Sequence, residues 1–324
     1  MKSRSVFAAA AAAALSLSAT FAGAQAWPSK PVIMVVPFPP GGGTDAFARP
    51  LAATLTKQIG QQVIIDNRGG AGGNLGASVA ARGSKDGHSM FMGAVHHAIA
   101  PSVYKKLDYS IEKDFVPITV VAVVPQVIVV NAKRVAQRDL RSFVDFAKKN
   151  PGKLNYASAG NGTSHHLAGE LFKQLAAVNL AHVPYKGAGP ALQDLIAGQV
   201  DLMFDGLGSS AQHIKSGALH PLAVASANRL FAFPHVPTVA EAGVKGYVVT
   251  SWYALWAPAG VPKDVQDRLV ESVNKALAAP EVKKVWDSQG ASTGPNNPRD
   301  MGGFVSAQIA KWAKVAKSAN IQID

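Results

Sequence analysis

The sequence predicts an α/β protein of two open sheets, one body inserted within the other, with a cleft between them. Three observations lead there. Short β-rich runs alternate with helical patterns from Val32 to about Ala225, which is the sign of βαβ units and mainly parallel sheets. The alternation restarts after Val130, marking a second body. Beyond Val248 the chain turns aromatic and extended, then helical, with little sheet of its own, so it must return to pack on the first body. The economical division is 27–124 plus 252–324 as one domain and 125–251 as the other. Two crossings between them make a hinge, and a hinge between open sheets makes a cleft that can close on a ligand.

The elements follow in order. Val32-Ile33-Met34-Val35-Val36 is a continuous apolar run with β-branched residues, a buried strand. Residues 44–58 have helical spacing, with Phe47, Leu51, Leu55 and Ile59 on one stripe. Val63-Ile64-Ile65 is a strand, 74–82 a helix, and Ser89-Met90-Phe91-Met92 a strand that runs into a loop with His96 and His97. Residues 115–130 read as two extended runs broken at Pro125. The second body offers a helix at 140–149, closed by Asn150-Pro151-Gly152. A strand at 153–157, a helix at 163–175, a strand at 180–183, a helix at 188–197 and strands at 200–204 and 222–225 complete it. Trp252 to Pro258 is extended, and helical patterns follow at 263–278, 281–289 and 299–318.

The N-terminus carries an address. Met1-Lys2-Ser3-Arg4 is basic, an apolar run from Val6 to about Leu17 follows, and Ala22-Gly23-Ala24-Gln25-Ala26 supplies small residues before Trp27. That order is the signature of a secretory signal peptide over 1–26, and the apolar run is too short to span a bilayer comfortably. A soluble, extracytoplasmic chain is expected.

Composition narrows the partners. With 48% hydrophobic and 16% charged residues the chain is globular, and with no cysteine it has neither disulfides nor a thiolate. A formal charge of +12 attracts anions. Lys and Arg are scattered, without a basic run interleaved with aromatics, which argues against nucleic acid. Small anions are the better partner, and a monomer is expected.

Two glycine-bearing turns stand out. Pro37-Phe38-Pro39-Pro40-Gly41-Gly42-Gly43-Thr44-Asp45 leaves a buried strand and enters a helix, so it lies where open α/β sheets bind ligands. Its glycines allow close approach to backbone amides, and the helix start adds unpaired donors and a partial positive charge. A phosphate loop would need Gly-Lys-Ser/Thr where Gly43-Thr44-Asp45 stands. The alternative is a tight turn with Thr44 as N-cap and Asp45 paired with Arg49. Tyr156-Ala157-Ser158-Ala159-Gly160-Asn161-Gly162-Thr163-Ser164-His165-His166 is the counterpart in the second body. Gly-x-Ser-x-Gly would make Ser158 a nucleophile, but Tyr156 occupies the first glycine position. Asn67-Arg68-Gly69-Gly70-Ala71-Gly72-Gly73-Asn74 is one residue too long for a dinucleotide fingerprint and reads as a structural turn. The adjacent pairs His96-His97 and His165-His166 lack metal-ligand spacing. No catalytic residue, metal or cofactor is expected. His97 and His166 remain candidates for ligand contact, as does Asp205 at a strand end.

Taken together, Val36 to Asp45, Asn67 to Asn74, Tyr156 to Thr163, Val183-Pro184-Tyr185-Lys186-Gly187 and Ala257-Pro258-Ala259-Gly260-Val261-Pro262 resemble the substrate-binding receptors of tripartite tricarboxylate transporters, the Bug family. The resemblance runs from Trp27 to the C-terminus. It implies a type II periplasmic-binding-protein fold closing on a small carboxylate, often through ordered waters. The load would pass to a membrane permease or inform a sensor kinase. It matches Phe38, Gly42, Gly43, Thr44 and Asp45 to the first binding loop, the stretch holding Ser158, Gly160, Gly162, Thr163 and His166 to the second, and Asp205 to a further contact. Gly69 stands where proline is expected, and His165 where a smaller residue is commoner, so His165 is placed to tune ligand choice. A transport receptor without chemical turnover is the leading expectation. A sensing receptor shares its features, and a periplasmic enzyme is the third reading.

Overall fold

The computed structural model describes residues 27–318 and 321–323; the expected signal segment lies outside them. The first half opens with β1 (Val32–Val36), α1 (Gly43–Ile59), β2 (Val63–Asn67), α2 (Asn74–Ala81), β3 (Ser89–Ala94) and α3 (His96–Val103). One long strand, β4 (Phe115–Val130), follows. The second half holds α4 (Leu140–Lys149), β5 (Asn155–Ser158), α5 (Ser164–Ala176), β6 (Ala181–Pro184), α6 (Ala188–Ala197), β7 (Leu202–Gly206), α7 (Leu207–Lys215) and β8 (His220–Val224). The chain returns through β9 (Thr250–Pro258), α8 (Lys263–Ala278), α9 (Pro280–Ser288) and α10 (Pro298–Ser318).

The strands run in the order β2-β1-β3-β9-β4-β7-β5-β6, with β8 also paired to β4. Within each half the βαβ units give parallel pairs, β1 with β2 and β3, and β5 with β6 and β7. Antiparallel pairing enters where β9 lies between β3 and β4. The first part of β4 pairs with β9 as far as Pro125 against Thr250, and the rest, from Gln126, pairs with β7 and β8. The two passages between halves are therefore side by side, tied by Gln126 N–H donating to the Val249 carbonyl at 2.9 Å.

Pro125 does not break the strand, contrary to the expectation from sequence. It sits where β4 exchanges one set of partners for another, so its missing N–H is tolerated there. Two helices escaped the sequence reading. α3 contains Pro101 and is buried almost all round, so it shows no amphipathic period. α7 opens Leu207-Gly208-Ser209-Ser210, in which glycine and the two serines weaken the helical signal.

Strand period builds the core. Val32, Met34 and Val36 point to the layer formed by Phe47, Leu51 and Leu55 of α1 and Leu269 and Val273 of α8. Val35, between them, faces the opposite layer with Phe91 and Ile99. In the second half Val127, Val129 and Met203 pack against Leu192 and Leu195 of α6. Trp286 of α9 donates its indole N–H to the Val121 carbonyl at 2.8 Å, fastening the returning helices to β4.

Candidate functional site

The first glycine turn leaves β1 and starts α1. Gly42 is an extended N-cap with no side-chain cap, so the first amides of α1 keep the donor capacity that a helix start leaves over. Gly43 is glycine for space: a Cβ there would meet Tyr253 Oη at 2.0 Å. Asp45 braces the turn. Its Oδ2 accepts from the Gly41 amide at 3.1 Å and from Arg49 Nε at 2.7 Å, and its Oδ1 accepts from Asn67 Nδ2 at 3.2 Å. Asn67 also donates to the Phe38 carbonyl at 2.8 Å. Pairing with Arg49 follows the structural alternative read from sequence, and both oxygens are engaged within the first half.

The second turn joins β5 to α5. The Ser158 hydroxyl accepts from the Gly160 amide at 3.1 Å and lies 2.7 Å from His182 Nε2. The Thr163 hydroxyl donates to the Gly160 carbonyl at 2.7 Å. A serine–histidine contact invites a hydrolase reading, but Ser158 is fully buried and burial pushes the His182 imidazole down to about 4, a poor base. Gly162 has φ +70°, and a Cβ there would strike Ile323 at 2.6 Å and Val103 at 2.9 Å. His166 accepts from the Gly162 amide through Nδ1 at 3.2 Å and stacks on His182, ring centroids 4.1 Å apart. It thus braces the second half.

The two turns meet. Gly41 and Gly42 lie against Gly189 and Ala188 at the start of α6, and Gly72 against the Asn161 carbonyl. The Tyr104 hydroxyl reaches both the Asn161 carbonyl, at 2.9 Å, and the Ala71 carbonyl, at 3.3 Å. His96 of α3 crosses the junction, its Nδ1 accepting from the Ser164 amide at the head of α5 at 3.0 Å. Accepting there requires a neutral ring, and burial, then the neighbouring His165, holds the His96 imidazole well below its ordinary value. Phe38 and His165 each make a T-shaped contact with His96, at 5.1 and 5.5 Å between centroids.

Beneath the turns lies a buried polar floor. Asp205, at the end of β7, accepts from the Ser209 hydroxyl at 2.7 Å and from that of Ser210, both through Oδ2. Among the described residues its Oδ1 faces His165 Nε2, at 3.5 Å. Burial raises the Asp205 carboxyl to about 6, against the pull of those hydroxyls, and lowers the His165 imidazole to about 4. Gln126, where β4 changes partners, donates Nε2 towards Ser164 Oγ at 3.4 Å and Ser251 Oγ at 3.3 Å. Tyr253 Oη stands beside both Gly43 and Gly206, linking the floor to the head of α1. Among the described residues no group of His, Asp and Glu could hold a metal.

Of the residues singled out from sequence, Phe38, Gly42, Gly43 and Thr44 belong to the turn that opens α1, Ser158, Gly160, Gly162 and Thr163 to the turn that opens α5, and Asp205 to the end of β7. His97 does not lie in a loop. It is in α3, fully buried, with Nδ1 accepting from the Ala94 amide at 3.0 Å and Nε2 facing the Gly73 carbonyl at 3.4 Å. Burial lowers it to about 4, as suits a neutral packing residue. Sequence reasoning passed over Gln126, Ser209, Ser210 and Ser251, and met His96 only in a histidine pair and Ser164 only as part of the second turn. One signal was present: Gln126 is a lone amide in the apolar run 115–130, and a buried amide demands partners.

The comparisons with known proteins agree in kind. Residues 47–321 match the model of the tripartite tricarboxylate transporter family receptor. Protein BugT of Bordetella pertussis is 35% identical over 302 residues, 93% of this chain and 92% of BugT. The structure of the periplasmic binding protein BugD superposes with a TM-score of 0.88 at 38% identity, covering 91% of this chain and 99% of that one. The structure of R. palustris Rpa4515 with adipate gives 0.88 at 39% identity over the same shares.

Proposed function

The chain belongs to the tripartite tricarboxylate transporter receptor family, and from that premise we propose that it is a periplasmic solute receptor that captures a small carboxylate between its two halves, without turnover, and hands it to a membrane permease. One observation carries the reading: the uncapped head of α1 and the head of α5, each behind a glycine turn, stand on opposite halves of one sheet, and His96 of α3 reaches across from the first half to the Ser164 amide at the head of α5. Backbone N–H groups at helix starts suit a carboxylate. Rpa4515, with adipate, supports that ligand class. Neither turn, 37–45 or 156–166, contains an arginine, so amides, hydroxyls and water must do the holding. At about 1.5–3 kcal/mol for each charge-assisted hydrogen bond, a micromolar complex needing about 8 kcal/mol requires several donors, drawn from both halves. Binding is thereby coupled to closure, with 27–124 plus 252–324 and 125–251 as the moving bodies. Phe38, Gly42, Gly43, Thr44, Ser158, Gly160, Gly162, Thr163 and Asp205 form the site, and Asp45 and His166 hold its loops.

Native mass spectrometry of gently purified protein, followed by calorimetry with C3 to C6 carboxylates, tests this. A bound acid released on unfolding, and affinity lost on replacing Gly162 with valine, are expected. No binding across that range would overturn the proposal, as would turnover of a bound acid.

A further inference from the structure

We propose that the site selects carboxylates that also carry a hydrogen-bond donor, a hydroxyl or an ammonium group, and that Asp205, Gln126 and His165 make the selection. The inference rests on the carboxylate reading above. Among the described residues, three side-chain atoms in the floor are buried without a hydrogen-bond partner: Asp205 Oδ1, Gln126 Oε1 and His165 Nδ1. Their residues are 0%, 1% and 4% exposed. All three belong to one place. His165 is the second residue of α5, Gln126 binds the hydroxyl of its first residue, Ser164, and Asp205 faces His165 Nε2.

Their chemistry is of one kind. The amide oxygen and the carboxylate oxygen accept. His165, with Nε2 turned to Asp205, presents a bare accepting Nδ1. A ligand carboxylate also only accepts, so it can be met by the helix heads but gives nothing to this floor. A donor on the ligand does, and its absence leaves buried acceptors unpaired. A site built around such a partner discriminates strongly against the analogue that lacks it.

The test uses calorimetry on ligand-stripped protein with three series matched in carbon skeleton: propanoate, lactate and alanine; succinate, malate and aspartate; glutarate, 2-hydroxyglutarate and glutamate. In whichever series binds, the hydroxyl or ammonium member is expected to bind at least about tenfold tighter than the unsubstituted acid. The hydroxyl and ammonium arms tell the two donors apart. Asp205→Asn puts an N–H where Oδ1 stood, so the ratio between the donor-bearing and the unsubstituted acid should fall about tenfold, whatever the change in absolute affinity. Should that variant fail to fold, Gln126→Met removes a second acceptor at similar volume and should lower the same ratio. Equal affinity within every series, or a ratio unmoved by the variant, overturns this inference and leaves the carboxylate reading standing. No binding in any series overturns both.

Discussion

Replacing Gly43 with alanine should destabilise the protein, although alanine is the better helix former. Gly43 opens α1 with a φ outside the left-handed region, so the helix would gain up to about 1 kcal/mol from the change. Sterics oppose this and win. An ideal Cβ stands 2.0 Å from Tyr253 Oη and 2.8 Å from its Cζ, and the ring must retreat by well over an ångström. It has nowhere to go: Tyr253 is 4% exposed and backed by Phe47 at 4.9 Å, which is itself set against Trp286 at 4.9 Å. Overpacking of this kind costs about 1–3 kcal/mol, more than the helix gains. The assay is urea unfolding, read as a lower midpoint at unchanged slope. Adding Tyr253→Phe removes the nearest atom and should return part of the loss, a coupling of about 1 kcal/mol in the double-mutant cycle. A Gly43→Ala protein as stable as the wild type, or strict additivity with Tyr253→Phe, would refute the reasoning.

Three further outcomes are expected. Asn131→Ala should cost about 2–3 kcal/mol in urea, because its amide donates to the Leu195 and Ile196 carbonyls at 2.8 and 2.9 Å and accepts from the Lys133 amide. A loss under half that size would mean the end of α6 is held otherwise. Tyr104→Phe removes the hydroxyl shared by the Ala71 and Asn161 carbonyls. About 1 kcal/mol of closure lost should appear in calorimetry as ligand affinity weakened roughly fivefold, and unchanged affinity would deny the bridge a part in closing. Acid should destabilise the fold. His97 and His165, held at about 4, contribute stability that is full above the unfolded value near 6.5 and is lost as pH falls through 4. Asp205, raised to about 6, acts the other way, its contribution full below about 3.9 and lost as pH rises through 6. Two imidazoles, with His96 also held low, outweigh one carboxyl. A urea midpoint at pH 4 equal to that at pH 7 would contradict this balance.

The α/β class and most elements were legible because strands such as β1 are continuous β-branched runs and α1 carries an apolar stripe. The glycine turns were legible because they join such elements. Less visible was anything fixed by burial alone. His97 reads as a loop residue because a helix packed on all sides has no period, and Pro101 inside that helix hides it further. Asp205 was reached, but not its serines, since Ser209 and Ser210 join it only once α7 turns back over β7. Gln126 is a polar residue in an apolar strand, and it marks the point where that strand changes partners. Its role depends on β9, which lies more than a hundred residues away in sequence.

The position of β9 also bears on how the chain comes to fold. It is the middle member between β3 and β4, yet it is made almost last. Until residues 250–258 arrive, the larger half has two open strand edges and no way to join them. Pairing Phe115 with Pro258 closes a very long loop, and such long-range pairings slow folding. A chain that stays unfinished until its final quarter is slow to lock, which suits the export proposed for it, since threading through a membrane must come before the final shape.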